Sequence, residues 1–410
     1  MKLLNVDTVE DARAKLLAAA GGKSIGCESI SFFHAAGRVL AEDVKAGENV
    51  PGFAKSTVDG YAVRAKDTQG VTESIPVFLE VIETVEMGRV PEKTVKPGQA
   101  VYVPTGGMLP EGADAMVMVE FCEKFDEKSI AVYDSVSPGR NVIAEGEDIS
   151  AGKIIMKKGS VIRPQEVGVL ASAGVSRVSV ARPWRITVIS TGDELISTDE
   201  TLSRGKTRDI NTYSVMASAA KHGFEITGSH VLKDDRALLS ETVKNAVKNS
   251  DIVVVSGGSS QGEKDHTADV LDEISGGGVF THGIALKPGK PTILAYDEKS
   301  ETVLAGLPGH PAAALLVFEL LIVWLYRQLT CQSEPKTTIA RITENVAAAG
   351  GRATCLLVSL GEKMEGVYMA EPILGKSGLM TTLSRADGYT MIGVNDEGLK
   401  EGQLVEVVLF

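Results

Sequence analysis

Two lysines, Lys287 and Lys290, lie three residues apart in the segment IALKPGKPTIL (284–294), and each precedes a proline. The central Pro-Gly pair favours a type II turn, because proline presets φ and glycine tolerates a positive φ. Such a turn would bring the two lysine Cα atoms within about 7 Å of each other. Two ammonium groups this close either stay solvated at the surface or clamp an anion, and this stretch alone leaves both interpretations open.

Polar and glycine-rich segments follow three apolar runs, RITVIS, DIVVVS and TVLAG, that are typical of buried strands. In an open parallel sheet, ligands bind beyond the carboxyl ends of the strands, so the three segments would meet at one edge. Each segment also has a purely structural interpretation, as a helix cap, a flexible turn or a proline-led helix start. The segments carry Thr191, Gly192, Asp193, Glu194, Ser256, Gly257, Gly258, Glu263, Asp265, Pro308, Gly309, His310 and Pro311.

Together these residues match the needs of a phosphorylated ligand with a divalent cation. Lysine ammonium groups, and backbone amides at glycine-rich strand ends or helix N-termini, bind phosphate or another oxyanion. Carboxylates beside a phosphate suit Mg²⁺, which binds through one or two carboxylates and the oxygens of its substrate. The sequence contains neither GxGxxG nor GxxxxGK[ST], so it carries neither a dinucleotide-binding fingerprint nor a P-loop.

The elements that must position these residues change in character along the chain. Residues 75–143 alternate short apolar runs with Gly and Pro, which predicts a small all-β module. From Arg185 onward, strand patterns alternate with helical ones, which predicts a parallel, doubly wound sheet. A long apolar helix should begin at Pro311 and end near Leu329, after which the chain returns to β structure. A first amphipathic helix, capped by Asp7 or Thr8, should turn one face inward, carrying Val9, Ala12, Leu16 and Leu17.

Composition narrows the class of protein. A chain of 410 residues predicts two to four domains, and a net charge of −12 argues against a nucleic-acid partner. Four dispersed cysteines form no CxxC pair, which favours a reducing compartment and neither disulfides nor a zinc site. The apolar run AAALLVFELLIVWLY is interrupted by Glu319 and is too short to span a bilayer. We therefore expect a cytoplasmic protein with no membrane partner.

Six motifs make the chain resemble the molybdopterin molybdenumtransferases, the family of MoeA and the gephyrin E domain. The resemblance covers nearly the whole chain, and the motifs occur in family order. They are PGFAKSTVDGYAVR (51–64), VPTGGMLPEGADAMVMVE (103–120), ISTGDEL (189–195), SGGSSQGEKD (256–265), IALKPGKP (284–291) and GLPGHPAAAL (306–315).

The resemblance implies an α/β multidomain fold. A discontinuous, small α+β domain I (1–44 and 144–182), which would form the dimer contact, would contain an inserted β-rich domain II (45–143). Domain III (183–330) would be a MogA-like, doubly wound α/β domain that binds molybdopterin. Domain IV (331–410) would be a C-terminal β-barrel.

The resemblance also implies an activity. The enzyme would accept adenylylated molybdopterin and molybdate as substrates, cleave the phosphoanhydride with Mg²⁺, insert molybdenum and release AMP. It implies a homodimer, with molybdopterin adenylyltransferase and apo-molybdoenzymes as further partners.

Residue roles follow by resemblance alone. Lys287 and Lys290 would hold oxyanions beside Pro308 and Pro311. Asp193, Glu194 and Asp265 would hold Mg²⁺ and the pyrophosphate, with Glu194 and Asp265 also catalytic. Further implied site residues are Asp59 and Thr105, which the family brings into the cleft across the dimer, together with Thr191, Gly192, Ser256, Gly257, Gly258, Gly309, His310, Arg352 and Ser377.

Two positions depart from the family pattern. His310 stands where the family usually has asparagine, and an imidazole can replace one amide hydrogen bond. Gly283 stands where the family often has a lysine, so one positive charge is missing from the expected oxyanion pocket. These departures leave open a preference for tungstate, or a catalytically weakened molybdopterin-binding scaffold.

Overall fold

A computed structural model describes residues 6–257, 266–375, 378 and 380–410. The chain divides into two compact units. The inserted unit comprises Ser29–Ala36 and Glu42–Val180; the α/β unit comprises Met1–Glu28, Gly37–Ala41 and Ala181–Phe410. The finer division into four domains stays a prediction.

The inserted unit is built around a six-stranded sheet, which confirms the all-β module expected within 75–143. Its strands, in spatial order, are Ala115–Met118, Gly60–Val63, Gln99–Val103, Val77–Thr84, Ser129–Val132 and Cys122–Lys124. Alternate side chains of these strands, such as Leu79 and Ile130, are almost fully buried in one core. Because the side-chain period of a strand is two, the opposite faces carry a separate cluster around Val101 and Met116.

Shorter elements complete this unit. The helix Pro164–Ser172 begins with proline at its first position and ends before Gly174, whose φ is 69°. The remaining strands are Val44–Lys45, Lys55–Ser56, Val142–Ile143 and Ile154–Met156, with Cys27–Ser31 and Arg177–Ala181 at the unit boundaries; single helical turns span Phe32–His34, Ala65–Thr68 and Val119–Phe121.

The α/β unit contains a six-stranded sheet that continues on one side as antiparallel strands. In spatial order the strands are Glu225–Leu232, Arg185–Thr191, Ile252–Ser256, Thr302–Leu307, Ile293–Asp297 and Gly276–His282. The first four are parallel, as predicted, but the last two are antiparallel, so the expectation of a wholly parallel sheet is wrong. The strands Ile293–Asp297 and Thr302–Leu307 are joined by a short turn, and a short turn can join only antiparallel neighbours because a parallel pair needs a long crossover.

Both faces of this sheet are covered, which confirms the doubly wound architecture. Ile186 and Val254 face one buried cluster, whereas Ile189 and Val255 face the other. The covering helices are Val9–Ala20, Asn211–Lys221 and Pro311–Leu329 against the first cluster, and Arg236–Ala246 and Thr267–Ser275 against the second; a small strand pair joins Leu195–Ile196 to Thr207–Arg208.

The first helix, Val9–Ala20, has the predicted cap. The Thr8 hydroxyl accepts from the Asp11 N–H at 3.0 Å, and the Asp11 carboxylate accepts in return from the Thr8 N–H at 3.3 Å. Leu16 is fully buried, but Leu17 is 38% exposed, so its assignment to the inward face is wrong. Successive residues differ by about 100° around a helix, and Leu17 falls just outside the apolar stripe.

The apolar helix extends from Pro311 to Leu329 and includes a π-helical stretch, Phe318–Val323. At 19 residues the whole helix, which is longer than the apolar run considered in the sequence, is long enough to cross a membrane by length and composition. It is nevertheless a core helix, because 67% of its apolar window is buried within the protein. The Arg13 guanidinium donates to the Leu320 carbonyl at 2.9 Å, which satisfies a backbone acceptor in the π-helical stretch.

The C-terminal part of the α/β unit is a closed five-stranded barrel, as predicted. Its strands, in order, are Ala353–Met364, Val367–Pro372, Thr337–Ile342, Leu404–Leu409 and Gly388–Ile392, and the last pairs again with the first. A short strand, Leu286–Lys287, pairs in parallel with the start of the first barrel strand at Ala353 and Thr354. Val346–Ala347 pairs with Gly398–Leu399, and a short helix spans Met380–Ser384.

Candidate active site

A cavity of about 990 Å³ lies within the α/β unit. The ends of parallel strands, the KPGK bend and the barrel all contribute to its walls. Of the predicted residues, the cavity is lined by Thr191, Gly192, Glu194, Gly257, Lys287, Lys290, Pro308, Gly309, His310 and Arg352. This volume is large enough for a ligand of dinucleotide-like size.

The KPGK bend presents its two lysines to the cavity, but it is not the predicted type II turn. The Lys287–Pro288 peptide bond is cis and Gly289 has a φ of 136°, whereas a type II turn has trans peptide bonds and a smaller φ at glycine. The Lys287 backbone pairs with Thr354 in the first barrel strand, beside Arg352. Three cationic side chains therefore converge on one cavity, which favours an anionic ligand.

Gly283 cannot be replaced by lysine without rearrangement. Its φ is 101°, a region that favours glycine, and a Cβ atom would lie 3.0 Å from Cγ1 of Val6. Val6 occupies the space beside this glycine. The missing charge is thus accompanied by a backbone conformation that disfavours a side chain at this position.

Glycines at two strand ends allow a close approach of backbone and side chains. A Cβ atom on Gly192 would lie 2.8 Å from both carboxylate oxygens of Glu194, so the Glu194 side chain folds back over this glycine. Gly257 has a φ of 101°, and a Cβ atom there would lie 2.2 Å from the Thr191 carbonyl oxygen. The Thr267 hydroxyl donates to the Gly257 carbonyl at 3.2 Å and fixes this strand end.

Asp234 is a cavity residue that the sequence reasoning missed. It forms reciprocal contacts with Asp193: the Asp193 N–H lies 3.4 Å from the Asp234 carboxylate, and the Asp234 N–H lies 3.3 Å from that of Asp193. The Gly192 N–H also donates to the Leu232 carbonyl at 3.0 Å. Because Asp234 follows a strand of the same sheet, the strand-end rule could have identified it.

Asn211 joins two of the strand-end segments. Its side-chain N–H groups donate to the Ser256 hydroxyl at 2.7 Å and to the Gly309 carbonyl at 2.9 Å. Within the described part of the chain, its Oδ1 atom and the Oδ2 atom of Asp209 are buried without a hydrogen-bond partner. Such buried acceptors are destabilising unless a bound molecule or water satisfies them.

Cys355 contributes a thiol to the cavity wall from the barrel. Burial raises the pKa of this thiol well above its ordinary value. The group therefore stays protonated at neutral pH and acts as a small apolar wall residue, not as a thiolate nucleophile.

Several predicted residues lie elsewhere. Ser256 is fully buried against Asn211, and Asp193 and Pro311 adjoin the cavity without lining it. Asp59 and Thr105 belong to the inserted unit, where the Thr105 N–H donates to the Asp59 carboxylate at 2.8 Å. Gly258, Glu263, Asp265 and Ser377 lie outside the described residues. Among the described residues, no three His, Cys, Asp or Glu side chains form a metal-binding group.

Comparison with known proteins shows similarity along the whole chain. Residues 7–174 match the MoeA N-terminal region (domains I and II), 187–328 match a molybdopterin-binding domain model, and 340–410 match the MoeA C-terminal region (domain IV). The molybdopterin molybdenumtransferase of Bacillus subtilis is 32% identical over 378 residues, which are 91% of this chain and 87% of that protein. The chain belongs to the MoeA family.

Other members extend this relation. A molybdopterin biosynthesis protein of Methanocaldococcus jannaschii is 33% identical over 390 residues, covering 93% of this chain and 92% of the relative. A crystal structure of a MoeA protein from Pyrococcus horikoshii is 35% identical, covers 99% of both chains and superposes with a TM-score of 0.79. The chain is thus a MoeA-type molybdopterin molybdenumtransferase, an enzyme of molybdenum cofactor biosynthesis.

The contact between Gly192 and Glu194 yields a first prediction for this MoeA protein. Gly192→Ala should displace the Glu194 carboxylate, since the new Cβ atom would lie 2.8 Å from its oxygens. We expect the rate of molybdenum insertion to fall about tenfold, with the thermal midpoint nearly unchanged because a flexible side chain absorbs the clash. Gly22→Ala is the control, because its Cβ atom would meet nothing within 4 Å and Gly22 does not line the cavity. Equal rates in the two variants would contradict a role for the Glu194 position.

Proposed function

We propose that the cavity binds adenylylated molybdopterin and molybdate with Mg²⁺, and that the enzyme cleaves the phosphoanhydride, inserts molybdenum into the dithiolene and releases AMP. The observation that carries this proposal is the convergence of Lys287, Lys290 and Arg352 on one cavity beside the strand ends. A phosphoanhydride and an oxyanion both carry negative charge that such cations stabilise. Molybdopterin as the ligand is supported by family membership.

The cationic side chains and the backbone amides of the cavity would bind the negatively charged parts of the substrates. The ammonium groups of Lys287 and Lys290 and the Arg352 guanidinium would orient the oxyanion and the phosphates, so that the reacting atoms meet without a covalent protein nucleophile. Backbone amides at Gly257 and Gly309 would supply further donors, as glycine-rich strand ends do for phosphates.

The carboxylates of the cavity fit Mg²⁺. Glu194 and Asp234 both line the cavity, and Mg²⁺ binds through one or two carboxylates together with oxygens of its substrate. When bound, the ion would neutralise charge on the phosphates. We propose Glu194 and Asp234 as its protein ligands, with Asp265 as a further ligand predicted from the family motif.

The homodimer, the contribution of Asp59 and Thr105 across it, the cytoplasmic location and the protein partners remain proposals that rest on the resemblance. Because Gly283 and His310 depart from the family pattern, a preference for tungstate over molybdate is also a proposal. Such a preference would appear as turnover that tungstate supports better than molybdate.

The test is AMP release from purified protein supplied with adenylylated molybdopterin and Mg²⁺. We expect release with molybdate, little without it, and none after chelation of the metal with EDTA. Release with tungstate alone would make Gly283 and His310 the first positions to exchange. Tight binding of the substrate without release under any condition would contradict the enzymatic proposal and favour a carrier.

A further inference from the structure

The segment at Asp7 is hydrogen-bonded to the strand that leads into the KPGK bend. The Asp7 N–H donates to the Gly283 carbonyl at 3.1 Å, and the Ala285 N–H donates to the Asp7 carbonyl at 2.7 Å. The Asp7 carboxylate accepts from Lys15 at 2.7 Å and from the Thr281 hydroxyl at 2.7 Å. Asp7 thus connects Thr281, Gly283 and Ala285 to Lys15 of the first helix.

Hydrogen bonds continue from this attachment to the bend. The Ile284 N–H donates to the Lys290 carbonyl at 2.9 Å, and the Gly283 N–H donates to the Thr292 carbonyl at 2.7 Å. The Thr292 hydroxyl closes the bend by donating to the Gly289 carbonyl at 2.7 Å. The position of Lys290 therefore depends on the strand that Asp7 holds.

The same strand also connects to the barrel. The Ala353 N–H donates to the Ala285 carbonyl at 2.9 Å, and Lys287 pairs with Thr354. Arg352 precedes this pairing directly. The segment from Gly283 to Lys287, which Asp7 holds at its start, thus carries the backbone connections to Lys287, Lys290 and Arg352.

We propose that Asp7 is a positioning residue for oxyanion binding, although it does not itself line the cavity. The inference rests on the proposed function, because it assumes that Lys287, Lys290 and Arg352 hold the oxyanion. A carboxylate suits this role, since its two oxygens accept from Lys15 and Thr281 together, and its side chain is only 15% exposed. Cations held by a fixed strand bind an anion better than mobile ones, because less order must be created on binding.

The test compares Asp7→Asn with Asp11→Asn. Both replace a carboxylate with an amide near the start of the first helix, but the Asp11 carboxylate accepts from the N–H and the hydroxyl of Thr8 in the helix cap. Lys15→Met removes the ammonium group that donates to Asp7 and to the Phe280 carbonyl, but it leaves the hydrogen bond between Thr281 and Asp7 in place. Molybdate binding is measured by equilibrium dialysis, and the thermal midpoint is recorded for each protein.

We expect Asp7→Asn to raise the molybdate dissociation constant about tenfold, Lys15→Met to raise it less, and Asp11→Asn to leave it unchanged. A purely structural role of Asp7 would lower the thermal midpoint without changing molybdate affinity, and that result would overturn the inference. Lys287→Ala is measured in parallel. If Lys287→Ala weakens binding and Asp7→Asn does not, the inference fails alone; if neither does, the proposed function fails first.

Discussion

Lys287→Ala is expected to lower the rate of molybdenum insertion at least about a hundredfold while the protein remains folded. The exposed Lys287 side chain lines the cavity, whereas its backbone alone pairs with Thr354 in the barrel. Removing the side chain therefore deletes one positive charge from the anion site without removing the strand pairing. A preorganised cation that faces developing charge commonly contributes two to three orders of magnitude, of the order of 3–4 kcal/mol.

Lys299→Ala is the matched control for this variant. Lys299 is exposed on the turn between two strands of the same sheet and does not line the cavity. Both variants lose one ammonium group, so any difference between them reflects position and not net charge. The measurement is AMP release with molybdate, combined with circular dichroism. Near wild-type turnover of a folded Lys287→Ala protein would show that the site assignment is wrong.

Gly257→Ala is expected to destabilise the protein by about 2–5 kcal/mol and to abolish insertion. Two independent costs add at this position. Alanine is strained at a φ of 101°, and its Cβ atom would lie 2.2 Å from the Thr191 carbonyl oxygen, which is backbone and cannot move aside as a side chain can. To relieve the clash, the strand ends at Thr191 and Gly257, which both line the cavity, would have to move apart.

The control for stability is Gly309→Ala, where the added methyl group has open space. Chemical denaturation of the two variants gives the difference in the free energy of unfolding. We expect Gly309→Ala to stay within about 1 kcal/mol of the unmodified protein, since helix and loop glycines without contacts tolerate alanine. If Gly257→Ala unfolded at the same denaturant concentration as Gly309→Ala, the close approach of the two strand ends would be contradicted.

The sheet could be predicted from sequence because its central strands are continuous apolar runs that alternate with helices. The antiparallel direction of Ile293–Asp297 could not, because a run such as ILAY has the same apolar character in either direction. Strand direction depends on the length and path of the connection, which a local pattern does not contain.

The candidate site was predicted where motif residues lie at strand ends, and missed where contacts are distant in sequence. Gly283 was identified as a lost charge, but its φ of 101° and its contact with Val6 depend on residues nearly 280 positions away. The cis bond at Pro288 could not be inferred from the Pro-Gly pair, which is equally compatible with a type II turn. Asp234 follows the parallel strand Glu225–Leu232, so the strand-end rule would have predicted it, but no motif marks it.

The pairing of Leu286–Lys287 with the first barrel strand has a mechanical consequence. The barrel is closed by its own hydrogen bonds, so it moves as one body and not strand by strand. A rotation of that body must either pull the KPGK bend along or break the backbone pairs at Ala353 and Thr354. In the second case Lys287 and Lys290 would move away from Arg352, and the oxyanion would be bound more weakly. The same rotation would then widen the cavity for product exit and separate the cationic side chains that bind the anion.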